Sequence, residues 1–132
     1  MRLLHYSIEP FQFNPNRAYK NINDRKPDGL WLSVEGDDDW QTWCKRTRDL
    51  DLRRIENMSE ITLKSNTNML LINTLKKFDS FTARFNSFGL IAWKKVTMLY
   101  DGVIIAPYRW ERRLDALWYY GWDCASGTIW NL

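Results

Sequence analysis

The stretch Trp122-Asp123-Cys124-Ala125-Ser126-Gly127-Thr128-Ile129-Trp130 sets a single carboxylate among bulky aromatics, just ahead of a segment that reads as a final strand. A carboxylate in apolar surroundings is costly to keep charged unless something pairs with it, and such groups concentrate at working sites. Two earlier segments supply complementary chemistry: His5-Tyr6-Ser7 and Gly29-Leu30-Trp31-Leu32-Ser33. Side chains alternate along a strand, so His5 and Ser7 share one side with Tyr6 on the other, and Trp31 and Ser33 share a face. Read with the closing stretch, these two segments suggest a pocket for a nucleotide. Each residue has a plainer reading. His5 could bond to backbone, Ser33 could close a strand end, Trp31 could pack the core, and Asp123 could pair with Arg109, Arg112 or Arg113. The same arginines are also suited to bidentate binding of a pyrophosphate.

These groups need elements to hold them. Leu3 to Ile8 reads as a first strand and Gly29 to Val34 as a second, separated by a long polar loop from Glu9 to Asp28 that carries Pro10, Pro15 and Pro27. The acidic run Asp37-Asp38-Asp39 stands where a helix begins, with Trp40, Trp43 and Cys44 on one face, so capping is its expected role. Asp49 to Asn57 reads as a charged loop or frayed helix, and Ser59 to Lys64 and Met69 to Ile72 as strands. Thr74 to Phe85 is helical by its Leu75, Phe78, Phe81, Phe85 stripe, which belongs in the core. Leu90 to Tyr100 reads as a short helix leading into a strand, and Val103 to Ala106 as a buried strand stopped by Pro107. Trp110, Leu114, Leu117 and Trp118 fit a helix within Tyr108 to Tyr120. The order of elements predicts an α+β fold: one small domain over residues 1–132, mostly antiparallel sheets with flanking helices.

Bulk properties narrow the class. A chain of 132 residues has one domain's length and can bury a core without metal or disulfide support. Eight tryptophans exceed what a small core easily hides, so some are expected at a cleft or interface. The net charge of +3 permits an anionic ligand without demanding nucleic acid. Cys44 and Cys124 lack CxxC spacing and His5 is the lone histidine, which argues against structural zinc and for reduced thiols in a cytoplasmic protein. No apolar run is long enough to span a membrane, and the N-terminus has no signal-length apolar region.

Taken in order, four segments resemble the frame of the ADP-ribosyltransferase superfamily. Leu3-Leu4-His5-Tyr6-Ser7 resembles its first-strand motif, and Gly29-Leu30-Trp31-Leu32-Ser33, followed by a tryptophan-rich helix, resembles its second. Tyr100-Asp101-Gly102-Val103-Ile104 resembles a later strand, and the chain ends where that family places its acid. The resemblance implies an ADP-ribosyltransferase-like fold with NAD as substrate. It implies catalytic roles for Asp123, His5 and Ser33, and NAD contacts from Tyr6, Ser7, Trp31, Arg109 and Arg112. One departure stands out: the family's usual acid is Glu, often in Glu-x-Glu or Gln-x-Glu, whereas Asp123 is one methylene shorter. The Ala106-Pro107-Tyr108 corner and the Trp118-to-Trp130 ending are also similar to small bacteriophage and prophage proteins, which implies a bacterial host protein or defence complex as target.

Three functions therefore stand side by side. The first is an enzyme that consumes NAD and labels a host macromolecule. The second is an inactive relative that blocks a host complex by contact, with Trp110 or Trp118 exposed as an anchor. The third is a nucleic-acid binder using Lys94, Lys95, Arg109, Arg112 and Arg113, which the mild net charge disfavours.

Overall fold

The computed structural model describes residues 1–48 and 50–132. Among the described residues nine strands and three helices follow one another: β1 (Leu3–Ser7), β2 (Asn23–Asp24), β3 (Leu30–Val34), α1 (Trp40–Arg46), β4 (Asn57–Ile61), β5 (Met69–Ile72), α2 (Leu75–Phe85), β6 (Asn86–Ser87), β7 (Leu90–Ala92), α3 (Trp93–Thr97), β8 (Gly102–Ile105) and β9 (Ser126–Ile129). Short 3-10 turns occupy Leu52–Ile55, Trp110–Arg112 and Leu117–Tyr119. A six-stranded sheet runs β4-β1-β3-β9-β8-β5, and a small sheet runs β2-β7-β6. Every pairing is antiparallel except β5 with β8. The molecule is a small α+β domain of mixed, mostly antiparallel sheets with flanking helices. No helix among the described residues is long and apolar enough to cross a membrane.

The large sheet is covered on both faces, and alternation along its middle strands explains how. Val103 and Ile105 of β8 join a core with Phe78, Phe81, Trp93 and Trp118, while Ile104 between them joins a second core with Leu30, Leu32 and Ile129. The first core is largely aromatic. Phe78 stacks on Trp118 at 5.0 Å between ring centroids, and Trp93 stacks on Trp122 at 6.3 Å. Buried indoles need acceptors, and each central one has found one. Trp118 Nε1 donates to Thr82 Oγ1 at 3.0 Å, and Trp130 Nε1 to the Tyr100 carbonyl at 2.7 Å. Trp93 and Trp122 donate to the successive carbonyls of Asp24 and Arg25, at 3.1 and 3.3 Å. These two bonds tie the long loop after β1 to the core.

The helix ends follow their capping residues. Asp39 caps α1, accepting from the Thr42 amide at 2.9 Å, and Thr74 caps α2, accepting from the Lys77 amide at 3.1 Å. Asp38 has a different duty, accepting from the Tyr108 amide at 2.8 Å.

Four segments differ from the sequence-based expectations. The loop from Glu9 to Asp28 contains β2, which pairs with β7. The fourth strand begins at Asn57, earlier than Ser59, and ends at Ile61; Asp49, which opens the charged segment before it, lies outside the described residues. Between Leu90 and Tyr100 the order is reversed, strand first and helix second, because β7 is claimed on both edges by β2 and β6. Five-residue α3 then turns Trp93 and Val96 into the core. The helix expected after Tyr108 is replaced by two 3-10 turns. Trp110, Leu114 and Leu117 are exposed and only Trp118 is buried, so a continuous helix would have no apolar stripe to bury.

Candidate functional site

β1 pairs with β4 along its full length but registers with β3 only at Leu3–Val34 and Leu4–Ser33. Beyond that point the two strands part, and the gap opens a cavity of about 270 Å³. His5 and Tyr6 line it from β1, Trp31 and Ser33 from β3, Trp40 from α1 and Asp123 from the approach to β9. A split sheet positions the strand-borne groups well, because β1 and β3 are each paired on their other edge, with β4 and β9.

Each group has a defined local state. His5 Nδ1 lies 2.7 Å from the Trp31 carbonyl oxygen. A carbonyl only accepts, so Nδ1 is the donor, and in the neutral ring Nε2 is left as an acceptor. The imidazole thus bridges the gap where the backbone ladder stops. Ser33 is buried, and its Oγ accepts from the Trp40 amide at 2.9 Å, which fixes the start of α1 against β3. Because the amide is the donor, the hydroxyl proton of Ser33 is not used by this bond. Burial pushes the Tyr6 phenol above its ordinary pKa, helped by the nearby Asp39 and Glu35 carboxylates. Trp31 meets Trp122 edge to face at 5.0 Å, so one wall of the cavity is a pair of crossed indoles.

Asp123 is held by one arginine. Arg113 Nη2 lies 2.9 Å from Asp123 Oδ1, and both side chains are about three-quarters buried, 22% and 24% exposed. Arg113 is itself fixed. Its Nη1 donates to the Tyr108 hydroxyl at 2.7 Å and to the Trp122 carbonyl at 3.0 Å, and its guanidinium lies over Trp43 at 5.2 Å and Tyr120 at 5.7 Å. The Tyr108 hydroxyl in turn donates to the Trp122 carbonyl. The carboxylate therefore has one oxygen locked, while Oδ2 has no bonded partner among the described residues. On its other flank Asp123 lines a second groove of about 290 Å³, shared with Asp37, Asp38, Trp43 and Trp110.

Two further side chains of the cavity were not among the expected site residues. Lys26, in the loop tied down by Trp93 and Trp122, sets its ammonium 5.5 Å from the Trp31 ring centre. Lys26 as a residue is exposed, yet loss of water around this end lowers its pKa, an effect that Asp123 opposes. Cys124 also lines the cavity, and burial pushes its thiol up to about 12. Position before Pro27 and Gly29 was the only local signal for Lys26; what places it is the pairing of β2, which no periodicity announces.

Other candidates lie elsewhere. Ser7 donates to the Glu9 carbonyl at 2.6 Å and does not line the cavity. Arg109 donates to the Asn73 carbonyl at 3.1 Å, and Arg112 forms a fork with Asp79 at 2.9 and 3.0 Å. Of the three arginines, only Arg113 reaches Asp123. Trp110 is 58% exposed, whereas Trp118 is buried. Lys94 and Lys95 are exposed on α3, away from the cavity. Cys44 and Cys124 are both free thiols. Among the described residues no group of three or more His, Cys, Asp or Glu side chains is placed to hold a metal ion. No family model, curated protein or solved structure matches this chain.

Proposed function

We propose that this chain is an ADP-ribosyltransferase-like protein that binds the nicotinamide–ribose end of NAD in the cleft between β1 and β3 and transfers ADP-ribose to a host macromolecule, a defence component being the expected kind of target. The observation that carries this reading is the meeting of His5, Ser33 and Asp123 on one cavity with indole walls. In the reaction the bond between the ribose C1′ and the nicotinamide nitrogen breaks, and its electron pair leaves with nicotinamide. The acceptor nucleophile bonds to C1′ and its proton passes to solvent water. The transition state resembles an oxocarbenium ion, as in glycoside hydrolysis. Asp123 Oδ2 faces the developing positive charge and accepts from a ribose hydroxyl, while Arg113 fixes the carboxylate's direction. His5 Nε2 accepts from a second hydroxyl, and Trp31 and Tyr6 orient the ring. The acidic groove beyond Asp123 gives the acceptor a route to the same carboxylate.

A second reading is favoured by a specific feature: the ion pair between Asp123 and Arg113, which answers the carboxylate's charge within the protein. Under it the protein is an inactive relative that blocks a host complex by contact, with exposed Trp110 as an anchor. One pair of measurements separates the two. With NAD, ADP-ribose and nicotinamide in turn, the enzyme reading expects NAD to raise the thermal midpoint, since a ligand selective for the native state stabilises it. It also expects labelled NAD to mark a host protein in lysate, with loss of about a hundredfold or more in Asp123→Asn. Absence of both the shift and the label removes the enzyme reading, and inhibition that survives Asp123→Asn supports the contact reading.

A further inference from the structure

Away from the cleft, a groove of about 490 Å³ runs between α2 and the sheet edge at β5. Its floor is apolar. Leu70 and Ile72, two residues apart on β5, face Phe81 and Phe85 of α2, and Tyr100 closes one end. Its rim is cationic: Lys76, Lys77 and Arg84 line it, and no Asp or Glu does. None of the three has an acidic partner among the described residues. Lys77 donates to the Asn73 side chain at 3.0 Å, and Arg84 lies over the Phe85 ring at 4.9 Å. The acid of α2, Asp79, points to the opposite flank and is taken by Arg112. The helix thus sorts its charges, with its three cations beside the groove and its one acid paired away from it.

The strand beside this groove has an open edge. Among the described residues β5 is the last strand of the large sheet and pairs only with β8. The Ile72 carbonyl accepts from the Ala106 amide at 3.2 Å, so the backbone groups of Ile72 face β8. Successive residues of a strand alternate in the direction of their amide and carbonyl, so those of Leu71 face outward. An unpaired edge is a template for another strand unless it is protected by charge, Pro or a bulge, and β5 (Met-Leu-Leu-Ile) has none of these.

We infer that this groove binds an extended acidic segment of a partner protein, which adds as a strand to the open edge of β5. Backbone bonds to Leu71 supply affinity, alternate apolar side chains settle on Leu70, Phe81 and Tyr100, and the carboxylates meet Lys77 and Arg84. This site is separate from the β1–β3 cleft and holds whether or not that cleft turns over NAD.

The test is an anisotropy titration of the whole protein with a labelled peptide alternating Glu and Val. Three probes run beside it: the same peptide with its backbone N-methylated, a Lys–Val peptide and an oligothymidylate. Saturable binding of the Glu–Val peptide is expected, weakened about tenfold or more in the exposed-residue double variant Lys77→Glu with Arg84→Glu. The N-methylated and Lys–Val peptides are expected not to bind. An unchanged thermal midpoint in the double variant shows that its loss of binding is not a loss of folding. No saturable Glu–Val binding, equal binding of the N-methylated peptide, or indifference to the double charge reversal overturns the proposal. Tighter binding of oligothymidylate than of peptide assigns the surface to nucleic acid and overturns it as well.

Discussion

At the scale of single residues, burial decides which groups can react. Cys124 lines the cleft, yet its thiol is pushed up to about 12 by loss of water, and Cys44, wholly buried, is also raised. The thiolate is the reactive form, so a raised pKa suppresses it at ordinary pH. Iodoacetamide at pH 8 is therefore expected to label neither cysteine in the native protein over a time that labels both in denaturant, as read by intact mass. Rapid native labelling at Cys124 would show that the thiol is not shielded. The cleft residues were partly legible. His5, Trp31 and Ser33 stand on strands and Asp123 on the approach to β9, and all four face one cavity; alternation set Tyr6 opposite His5 and Ser7 beside it, yet Tyr6 lines the cavity and Ser7 does not. Arg109 and Arg112 were chosen for charge alone, and charge does not say which way a turn residue points. Their partners, Asn73 and Asp79, lie some thirty residues upstream.

At the scale of elements, the acidic run before Trp40 announced α1 by its capping chemistry, and side-chain periodicity announced helices less evenly. Asp39 accepts from both the Thr42 and Gly36 amides, at 2.9 and 3.2 Å, and is 6% exposed. Asp39→Ala is expected to cost about 1–2 kcal/mol, as N-cap losses do, measured as a lower urea midpoint at unchanged slope. It should also loosen Trp40, which α1 holds at the cleft. A loss well under that range would mean that the fold, and not the cap, holds α1 in place. The aromatic stripe of α2 was readable because three buried phenylalanines recur at helical spacing. The reversed order at Leu90–Thr97 was not, because a short apolar run suits strand and helix alike and the choice is made by β2 and β6 from distant parts of the chain. After Tyr108 the apolar residues kept a helical rhythm but lacked a surface to cover, and the rhythm misled.

At the scale of the whole molecule, the aromatic core is the keystone of both sheets. Phe78 is fully buried and touches Trp118 and Tyr119 at ring-centroid distances of 5.0 and 4.8 Å. Phe78→Ala is expected to destabilise by about 3–5 kcal/mol. That is a large share of the roughly 5–15 kcal/mol typical of a domain. Near-ultraviolet circular dichroism and urea unfolding check it; retention of the wild-type midpoint would show that the cluster packs without Phe78. The fold class followed from the order of elements, but the sheet order did not. Nothing local tells β9, at the chain's end, to lie between β3 and β8, and that insertion is what carries Asp123 to the cleft formed by β1 and β3.

The short registration of β1 on β3 has a mechanical consequence. The ladder between them is confined to Leu3–Val34 and Leu4–Ser33, extended at one end by the Glu35 amide donating to the Arg2 carbonyl at 3.0 Å. The imidazole of His5, bonded across to Trp31, is the latch on the open side. The width of the seam on the cleft side is thus set by a side-chain bond, where along the rest of the sheet it is set by the backbone ladder.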